Sequence, residues 1–582
     1  MKRKISQISL LFLAPVVGVL IFCNGVLAAN SSSTFFVDSY YDLISRTEIK
    51  ARFFYESNKA YFYIDNNYLD SIDERLKTDI KINIEKLGKA LDDEIYPKLT
   101  GLFGDVWNPG IDGDPKITVL FTQLAGGVGG YFNPLNELSL DMASNSNVRE
   151  MVYLNTEFIL NNRLKSYLAH EFQHLISYSQ KERMGQAVED VWLNELRSEY
   201  APTYLGYDAE NYNESNLKIR VDKFNHYSSD SLTEWQAKIY DYPSVNLLAQ
   251  YMADHYGEAF FKALMQSQKG GIESFNDALS LMVPNKDFAD IFGDWIVVDY
   301  LNGSTTDKLY RYLNPLLQSV KANTTASYEV FDGLSIQRLG LIKEWTPLWY
   351  EIASATGTDN NVKINFNGEQ VRGEFRAKII KIDSAGEMVI SDWAFSDGKT
   401  GELTMPHLGK GLKKVVIMPY LVYNGRYQME SLEYNPFTLT IVAKAETEPL
   451  IVNILETKEV NVLSSSLNNG DLARAKSDYK VYIINGNYKR HIESAKIFDF
   501  YGHLGWAKVK EISLYEMSLY QESNLVRADG DQKVYAIDEE GVKHWLNVSG
   551  DDFVRSGRNW GSVYIINAQE RDFYKRGSEI LS

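Results

Sequence analysis

Cysteine is almost absent: the 582-residue chain has one, Cys23. It lies inside an N-terminal segment that reads as an export signal, so the chain after it can form neither a disulfide nor a thiolate metal site. Any metal must be held by His, Asp or Glu. Histidine is scarce too, with eight copies. Positive charge is in deficit: 60 Lys and Arg against 77 Asp and Glu leave a net charge of −17. Such a surface argues against a nucleic-acid partner, because phosphate binding needs a basic face. After residue 30 no run is long and apolar enough to cross a bilayer. What is abundant is tyrosine, 38 residues within a 13% aromatic share, a residue suited to half-buried strands.

The first 29 residues have the parts of a signal peptide. Lys2, Arg3 and Lys4 precede an apolar run from about Ile8 to Ala29, and Val26-Leu27-Ala28 offers a cleavage position. Cleavage after Ala28 or Ala29 leaves a secreted chain; the alternative is an uncleaved anchor that keeps it at the cell surface. Phe22 ahead of Cys23 speaks against lipidation.

Residues 30–34 read as a polar linker, and residues 50–65, with Tyr61-Phe62-Tyr63-Ile64, as strand. Residues 69–100 have helical spacing. Lys116–Phe121 reads as a buried strand, followed by the glycine loop Gly126–Gly130, and Met151–Leu154 as another strand. Helices are expected over Arg163–Lys181, Gln186–Leu205, Pro243–His255 and Glu258–Gln268. After about residue 330, short apolar segments such as Lys363–Phe366 and Lys414–Met418 alternate with turn residues, the pattern of an antiparallel sandwich ending near Ala445. The rest contains an internal repeat: Asp471–Tyr482 resembles Asn524–Tyr535, and Trp506 corresponds to Trp560, at offsets of 53 and 54 residues. Asp112-Gly113-Asp114 reads as a tight turn, since the other ligands of a calcium loop are missing.

The sharpest local signal is His170-Glu171-Phe172-Gln173-His174. On a helix, His at i and i+4 share a face and can share one zinc, while Glu171, to the side, can accept a proton from an activated water. Leu168, Ala169, Phe172, Leu175 and Ile176 supply the apolar face that would bury such a helix. A catalytic zinc takes three protein ligands and leaves one position open. No third His follows closely, but Glu195 lies 21 residues after His174, and Glu199 shares its helical face. By position either acid could reach a metal. Glu189 and Asp190 are competitors that precede the helix start.

The blocks Leu168–His174 and Trp192-Leu-Asn-Glu-x-x-Ser-Glu-Tyr-Ala201 resemble the glutamate-zincins of the hyicolysin type, distant relatives of immune inhibitor A, the thermolysin-like enzymes and the aminopeptidase-type gluzincins. The resemblance extends over roughly residues 50–300, through Pro109–Phe121, Gly129–Phe132, Leu232–Trp235, Tyr242 and Asp254–Gly257. It implies a zinc endopeptidase with a strand-edged cleft, one zinc on His170, His174 and Glu195, and Glu199 behind a ligating imidazole. The family's glycine after the ligand glutamate is Leu196 here. A tyrosine stabilises the oxyanion in some relatives; Tyr242 sits in the matching block, with Tyr240 and His226 as alternatives. His226 falls in a loop-like stretch, and His255 reads as structural.

The expected fold is multidomain: a signal peptide (1–29), an α+β zincin-like metallopeptidase domain (30–325), an all-β sandwich domain (326–450) and two small β-rich repeats (466–522 and 523–582). The implied partner is a protein or peptide substrate of a monomeric, secreted enzyme, with a cell-surface or envelope ligand for the repeats. The rival expectation is a non-catalytic surface-binding protein that retains a peptidase fold, because paired modules favour avidity. Retention of Glu171 argues against it.

Overall fold

The computed structural model describes residues 32–580 except 186, 303, 305, 306, 355, 356, 358, 369–372, 424–433, 446–466, 476–479, 487, 513–516, 518, 519, 539, 540, 551, 552, 554–557 and 559. The segment read as an export signal, with Cys23, lies outside the described residues. The chain divides into two compact units, one up to Glu448 and one from Pro449.

The first unit opens with a six-stranded sheet of β1 (Ser32–Phe36), β2 (Glu48–Glu56), β3 (Ala60–Asp65), β4 (Ile117–Thr122), β5 (Gly130–Phe132) and β6 (Met151–Asn155), in the order β1-β2-β3-β4-β6-β5. β3, β4 and β6 are parallel, and β5 returns antiparallel to β6 as an edge. All six residues of β4 are buried, as a central strand covered on both faces requires. The expected linker 30–34 is corrected in part: Ser32–Phe36 pairs along Arg52–Glu48, and Phe35 is buried. An edge strand can be this polar because few of its side chains must face the core.

Seven helices position the site: α1 (Glu74–Ala90), α2 (Tyr96–Phe103), α3 (Leu164–Gln180), α4 (Val191–Leu205), α5 (Asn216–His226), α6 (Asp241–Gln266) and α7 (Phe288–Leu301). α4 starts later than the expected Gln186. Glu189, just ahead of it, is buried and accepts hydrogen bonds from Lys181 Nζ (2.9 Å), Arg197 Nη1 (2.8 Å) and the Gly271 N–H (2.7 Å). This clamp takes the residues before Val191 into a tertiary contact and ties the end of α3 to α4. The two helices expected between Pro243 and Gln268 are present: α6 is two helices that meet at a break at Gly257, whose φ of 66° suits glycine. His226 is the last residue of α5 rather than part of a loop.

From Ala326 the chain forms nine strands, β7 (Ala326–Val330), β8 (Ser335–Ile342), β9 (Tyr350–Ser354), β10 (Asn360–Asn367), β11 (Glu374–Asp383), β12 (Met388–Trp393), β13 (Thr400–Leu408), β14 (Leu412–Val422) and β15 (Asn435–Ala445). They make two leaves, β12-β11-β14-β9-β7 and β13-β10-β15-β8, joined where Leu408 meets Leu412. Ile364, Phe366, Phe375, Ile417 and Phe437 belong to the core between them. The expected purely antiparallel pairing is corrected at one edge. β7 and β9 are parallel, because the chain between them crosses to the other leaf as β8 and returns.

This sheet also packs on the helices. Trp345, Trp349 and Tyr420 share one buried cluster with Trp192, Phe288, Phe292 and Trp295. The Trp345 ring lies 4.6 Å from Phe288, which lies 5.5 Å from Trp192 on α4. Trp349 Nε1 donates to the Ile296 carbonyl at 3.0 Å. A Cβ on Gly293 would stand 2.5 Å from the Tyr420 hydroxyl, so glycine is what lets α7 approach the sheet. Fully burying each such aromatic is worth about 2–3 kcal/mol, so the two layers hold each other strongly.

The second unit contains two five-stranded sheets. The first has β16 (Leu472–Ala475), β17 (Val481–Asn485), β18 (Tyr488–His491), β19 (Val509–Ile512) and β20 (Gln521–Glu522), in the order β19-β16-β17-β18-β20. The second has β21 (Leu525–Ala528), β22 (Val534–Ile537), β23 (Val542–Trp545), β24 (Tyr564–Ile566) and β25 (Lys575–Arg576), in the order β24-β21-β22-β23-β25. Leu472 faces Ile483 as Leu525 faces Ala536. Tyr482 faces His491 as Tyr535 faces Trp545, so the extra residue of the second sheet sits in the hairpin after β22. A buried Arg490–Glu570 ion pair at 2.7 Å joins the two sheets.

Candidate metal centre

α3 lays its apolar face on the sheet: Leu168, Ala169, Phe172, Leu175 and Ile176 are fully buried. One helical turn apart, His170 and His174 then point toward α4, where Glu195 meets both. Glu195 Oε2 is 3.3 Å from His170 Nε2, Glu195 Oε1 is 3.6 Å from His174 Nε2, and the two Nε2 atoms are 3.1 Å apart. These three side chains offer donor atoms within 4.8 Å of one another. Among the described residues no other group of three His, Cys, Asp or Glu does so.

The far sides of both rings are held. Ser198 Oγ donates to Gln173 Oε1 at 2.5 Å and lies 3.1 Å from His174 Nδ1, so it is placed to accept the Nδ1 proton. His170 Nδ1 lies 3.6 Å from Glu199 Oε1. With Nδ1 protonated on each ring, both imidazoles would present an Nε2 lone pair to a metal placed between them and Glu195. Glu199 is itself fixed: Arg220 donates to its two oxygens at 2.8 Å each, and Asn246 Nδ2 donates at 3.1 Å. The Arg220 guanidinium stacks over the Tyr242 ring at 4.5 Å.

The donor set fits a zinc ion. Glu195 Oε2 is buried and has no hydrogen-bond partner, a costly state for a carboxylate oxygen unless a cation faces it. Two imidazoles and one carboxylate, without sulfur, form a three-ligand set that leaves a further position open. Burial opposes charge on His170, but Glu195, then Glu171 and Glu199, outweigh it and raise the ring to about 9. Burial lowers His174 to about 4.

Glu171 is 5% exposed. Burial pushes its carboxyl up to about 8, with His170 opposing and Glu195 and Glu199 adding. The edge strand lies directly on it. A Cβ on Gly130 would stand 2.9 Å from Glu171 Cγ and 2.5 Å from the Tyr153 carbonyl, so only glycine allows this approach.

Tyr242 lies in the first turn of α6, packed against Trp235 at 4.9 Å. Burial and the charges of Glu195, Glu199 and Glu171 push its hydroxyl well above the ordinary range, and Arg220, which holds Glu199, stacks on its ring. Tyr240 packs on Tyr227, and His226 is exposed, its carbonyl engaged by Asn323. His255 contacts the Arg311 carbonyl. Asp112–Asp114 forms a turn in which the Asp114 N–H donates to Asp112.

Several partners carry no signal that sequence reasoning used. Gln173 and Ser198 stand inside the two motif blocks, and their polarity on buried helices is the clue that could have found them. Arg220, Asn246 and Tyr41 come from other elements. Tyr41 stacks on Tyr131 at 4.8 Å, and Tyr131 on Tyr153 at 4.1 Å. Burial, Asp38, Glu171 and Glu195 raise the Tyr41 hydroxyl.

No family model matches the chain. Among curated proteins it is similar to the neutral metalloprotease ShpI of Staphylococcus hyicus, 25% identical over 270 residues. That match covers 41% of this chain and 56% of ShpI, so the chain spans just over half the length of that relative. Among solved structures it is matched to the ZmpB metallopeptidase from Clostridium perfringens at 14% identity, over 66% of this chain and 68% of that one, with a TM-score of 0.24. The pre-peptidase C-terminal domain of a collagenase from Bacillus anthracis matches at 14% identity over 21% of this chain and 99% of that one, with a TM-score of 0.15. Neither score reaches a shared fold. The similarity to ShpI supports placing the chain, distantly, with metallopeptidases.

Proposed function

We propose that the protein is a secreted, zinc-dependent endopeptidase of the hyicolysin type, binding one zinc per chain. The carrying observation is the convergence of His170 Nε2, His174 Nε2 and the unpartnered Glu195 Oε2, with both Nδ1 sides anchored. Zinc held there supplies Lewis acidity, polarising a peptide carbonyl and lowering the pKa of a water.

The chain's own residues do the rest. Glu171, buried beside the two His, is placed to accept a proton from water and return it to the leaving amine. Tyr242 donates a hydrogen bond to the developing oxyanion, its proton kept in place by burial among acids. β5 offers its outer backbone edge to an extended substrate. Glu199 and Ser198 orient the ligating rings. In this reading residues 30–325 are the peptidase domain, 326–450 the sandwich, and 466–522 and 523–582 two copies of one module that engages an envelope ligand.

The test is a casein-type assay on the purified protein with and without a zinc chelator, repeated on Glu171→Gln. Hydrolysis should stop with chelator, return with added zinc, and be absent in the variant while zinc content stays near one equivalent. Turnover that survives complete zinc removal, or wild-type turnover in Glu171→Gln, rejects the proposal.

A further inference from the structure

Strand alternation gathers cations and rings on one face of the second five-stranded sheet. Tyr535 on β22 stands opposite Trp545 on β23, and Lys543, two residues before Trp545, stands opposite Arg576 on β25. Lys533, two residues before Tyr535, extends the same face. Together with Arg571 these side chains line a cavity of about 270 Å³. Four cations line it against two acids, Asp572 and Glu579, in a chain whose net charge is −17.

The charges are unevenly paired. Arg571 donates to the two Asp572 oxygens at 2.8 and 2.9 Å, and Arg576 lies 3.7 Å from Glu579. Lys533 Nζ instead lies 3.9 Å from the centre of the Trp545 ring, and among the described residues no acid pairs with it. Lys543 Nζ lies over the Tyr535 ring at 5.8 Å and donates to the Arg571 carbonyl, while Asp572 stands 3.9 Å away. Rings hold these ammonium groups without neutralising them. A carboxylate ligand matches a guanidinium fork, and the fork of Arg571 is already filled by Asp572. Two ammonium groups with N–H donors to share, beside Arg576, suit a phosphate and its several acceptor oxygens.

The first sheet keeps the frame but not the charge. Lys489 Nζ lies over the Tyr482 ring at 5.1 Å and donates to the Met517 carbonyl at 3.3 Å, the same two contacts. There, however, His491 faces Tyr482 in the place of Trp545, and Glu522 faces Lys489 in the place of Arg576. An acid at that position repels a phosphate.

We propose that the cavity of the second sheet binds the phosphate group of an envelope phosphodiester polymer, and that the first sheet has no such site. The polymer as source rests on reading the two modules as envelope-binding; the preference for phosphate rests on the cavity alone. The rings carry ammonium groups rather than serving as platforms for bases, which disfavours a nucleic acid.

The test uses the full chain at low ionic strength and three probes: inorganic phosphate, a poly(glycerol phosphate) and a single-stranded oligonucleotide. Calorimetry should show saturable uptake of one phosphate. The poly(glycerol phosphate) should bind about tenfold or more tightly than free phosphate, since its linked units rebind. Lys533→Ala and Arg576→Glu, both at exposed positions, should each weaken the two ligands by about tenfold or more. Glu522→Gln should leave both affinities unchanged. Circular dichroism checks that the variants fold. No saturable phosphate uptake by the wild type, or uptake equal to wild type in Lys533→Ala and Arg576→Glu, overturns the site. Phosphate uptake without polymer binding, or an oligonucleotide bound as tightly as the polymer, overturns the assigned source. None of these measurements depends on hydrolysis, so failure of the peptidase reading and failure of this one are told apart.

Discussion

Arg220 holds the Glu199 carboxylate with two parallel hydrogen bonds of 2.8 Å, from Nε to Oε2 and from Nη2 to Oε1. Glu199 faces His170 Nδ1, so a residue on α5 sets the orientation of an imidazole on α3 through an acid on α4. Arg220→Ala leaves Glu199 buried without its main counter-charge, and removing one member of such a pair costs about 3–5 kcal/mol. Zinc affinity should fall about 10–100-fold. Chelator competition and thermal melting measure the two effects. Arg220→Lys should recover part of the stability and little of the affinity, because an ammonium cannot make the paired contact.

Glu195 and Glu199 should separate cleanly. Glu195 lies within reach of both Nε2 atoms, whereas Glu199 is engaged by Arg220 and Asn246. Glu195→Ala should lose zinc on simple dialysis. Glu199→Ala should keep zinc at micromolar free metal and stay partly active. Zinc content and turnover, with folding followed by circular dichroism, decide; an empty Glu199→Ala beside a loaded Glu195→Ala reverses the assignment.

The contributions of Asp208 and Asp230 to stability should fall as pH rises from about 4 to about 7. Burial raises Asp208 to about 6, and burial with Asp241 and Glu234 raises Asp230 to about 7, from an ordinary 3.8. A raised acid contributes its stability below the unfolded value and loses it as pH climbs through the folded one. Asp230→Asn should gain stability relative to wild type as pH climbs from 4 to 8, read as a growing difference between their melting temperatures.

Much of the centre was legible because it is local. Two His at i and i+4 and two Glu at i and i+4 carry their relation in the spacing itself. The partners that set ring orientation were not legible in that way. Arg220 and Asn246 stand 21 and 47 residues from Glu199, and nothing periodic marks such a distance. β1 was hidden by its serines, since an edge strand needs only occasional apolar residues such as Phe35. α4 starts at Val191 rather than Gln186 because the residues ahead of it are held by the three buried partners of Glu189, which stand 8, 8 and 82 residues away. The alternation of the sandwich strands was plain in sequence, but which of their aromatics face the helices was not.

Truncation should distinguish the two units. A chain of residues 30–445 should fold and cleave peptides, since the described part of that span contains the whole site and its core. A chain ending at 325 should be insoluble or inactive, because it lacks Trp345, Trp349 and Tyr420 beneath α7. Solubility and turnover on a short peptide check both. A soluble but inactive 30–445 chain would assign the C-terminal sheets to the catalytic unit.

The contact of Trp345 with Phe288 also sets an order in time. Synthesis delivers His170, Glu171, His174 and Glu195 well before Trp345, and Tyr420 later still. Through Trp192, Phe288 and Trp345, the helix that carries Glu195 is braced by strands made long after it. A nascent chain thus holds these four side chains before it holds the scaffold that braces α4. A chain interrupted before Tyr420 therefore carries the four side chains without the full aromatic layer that braces α4.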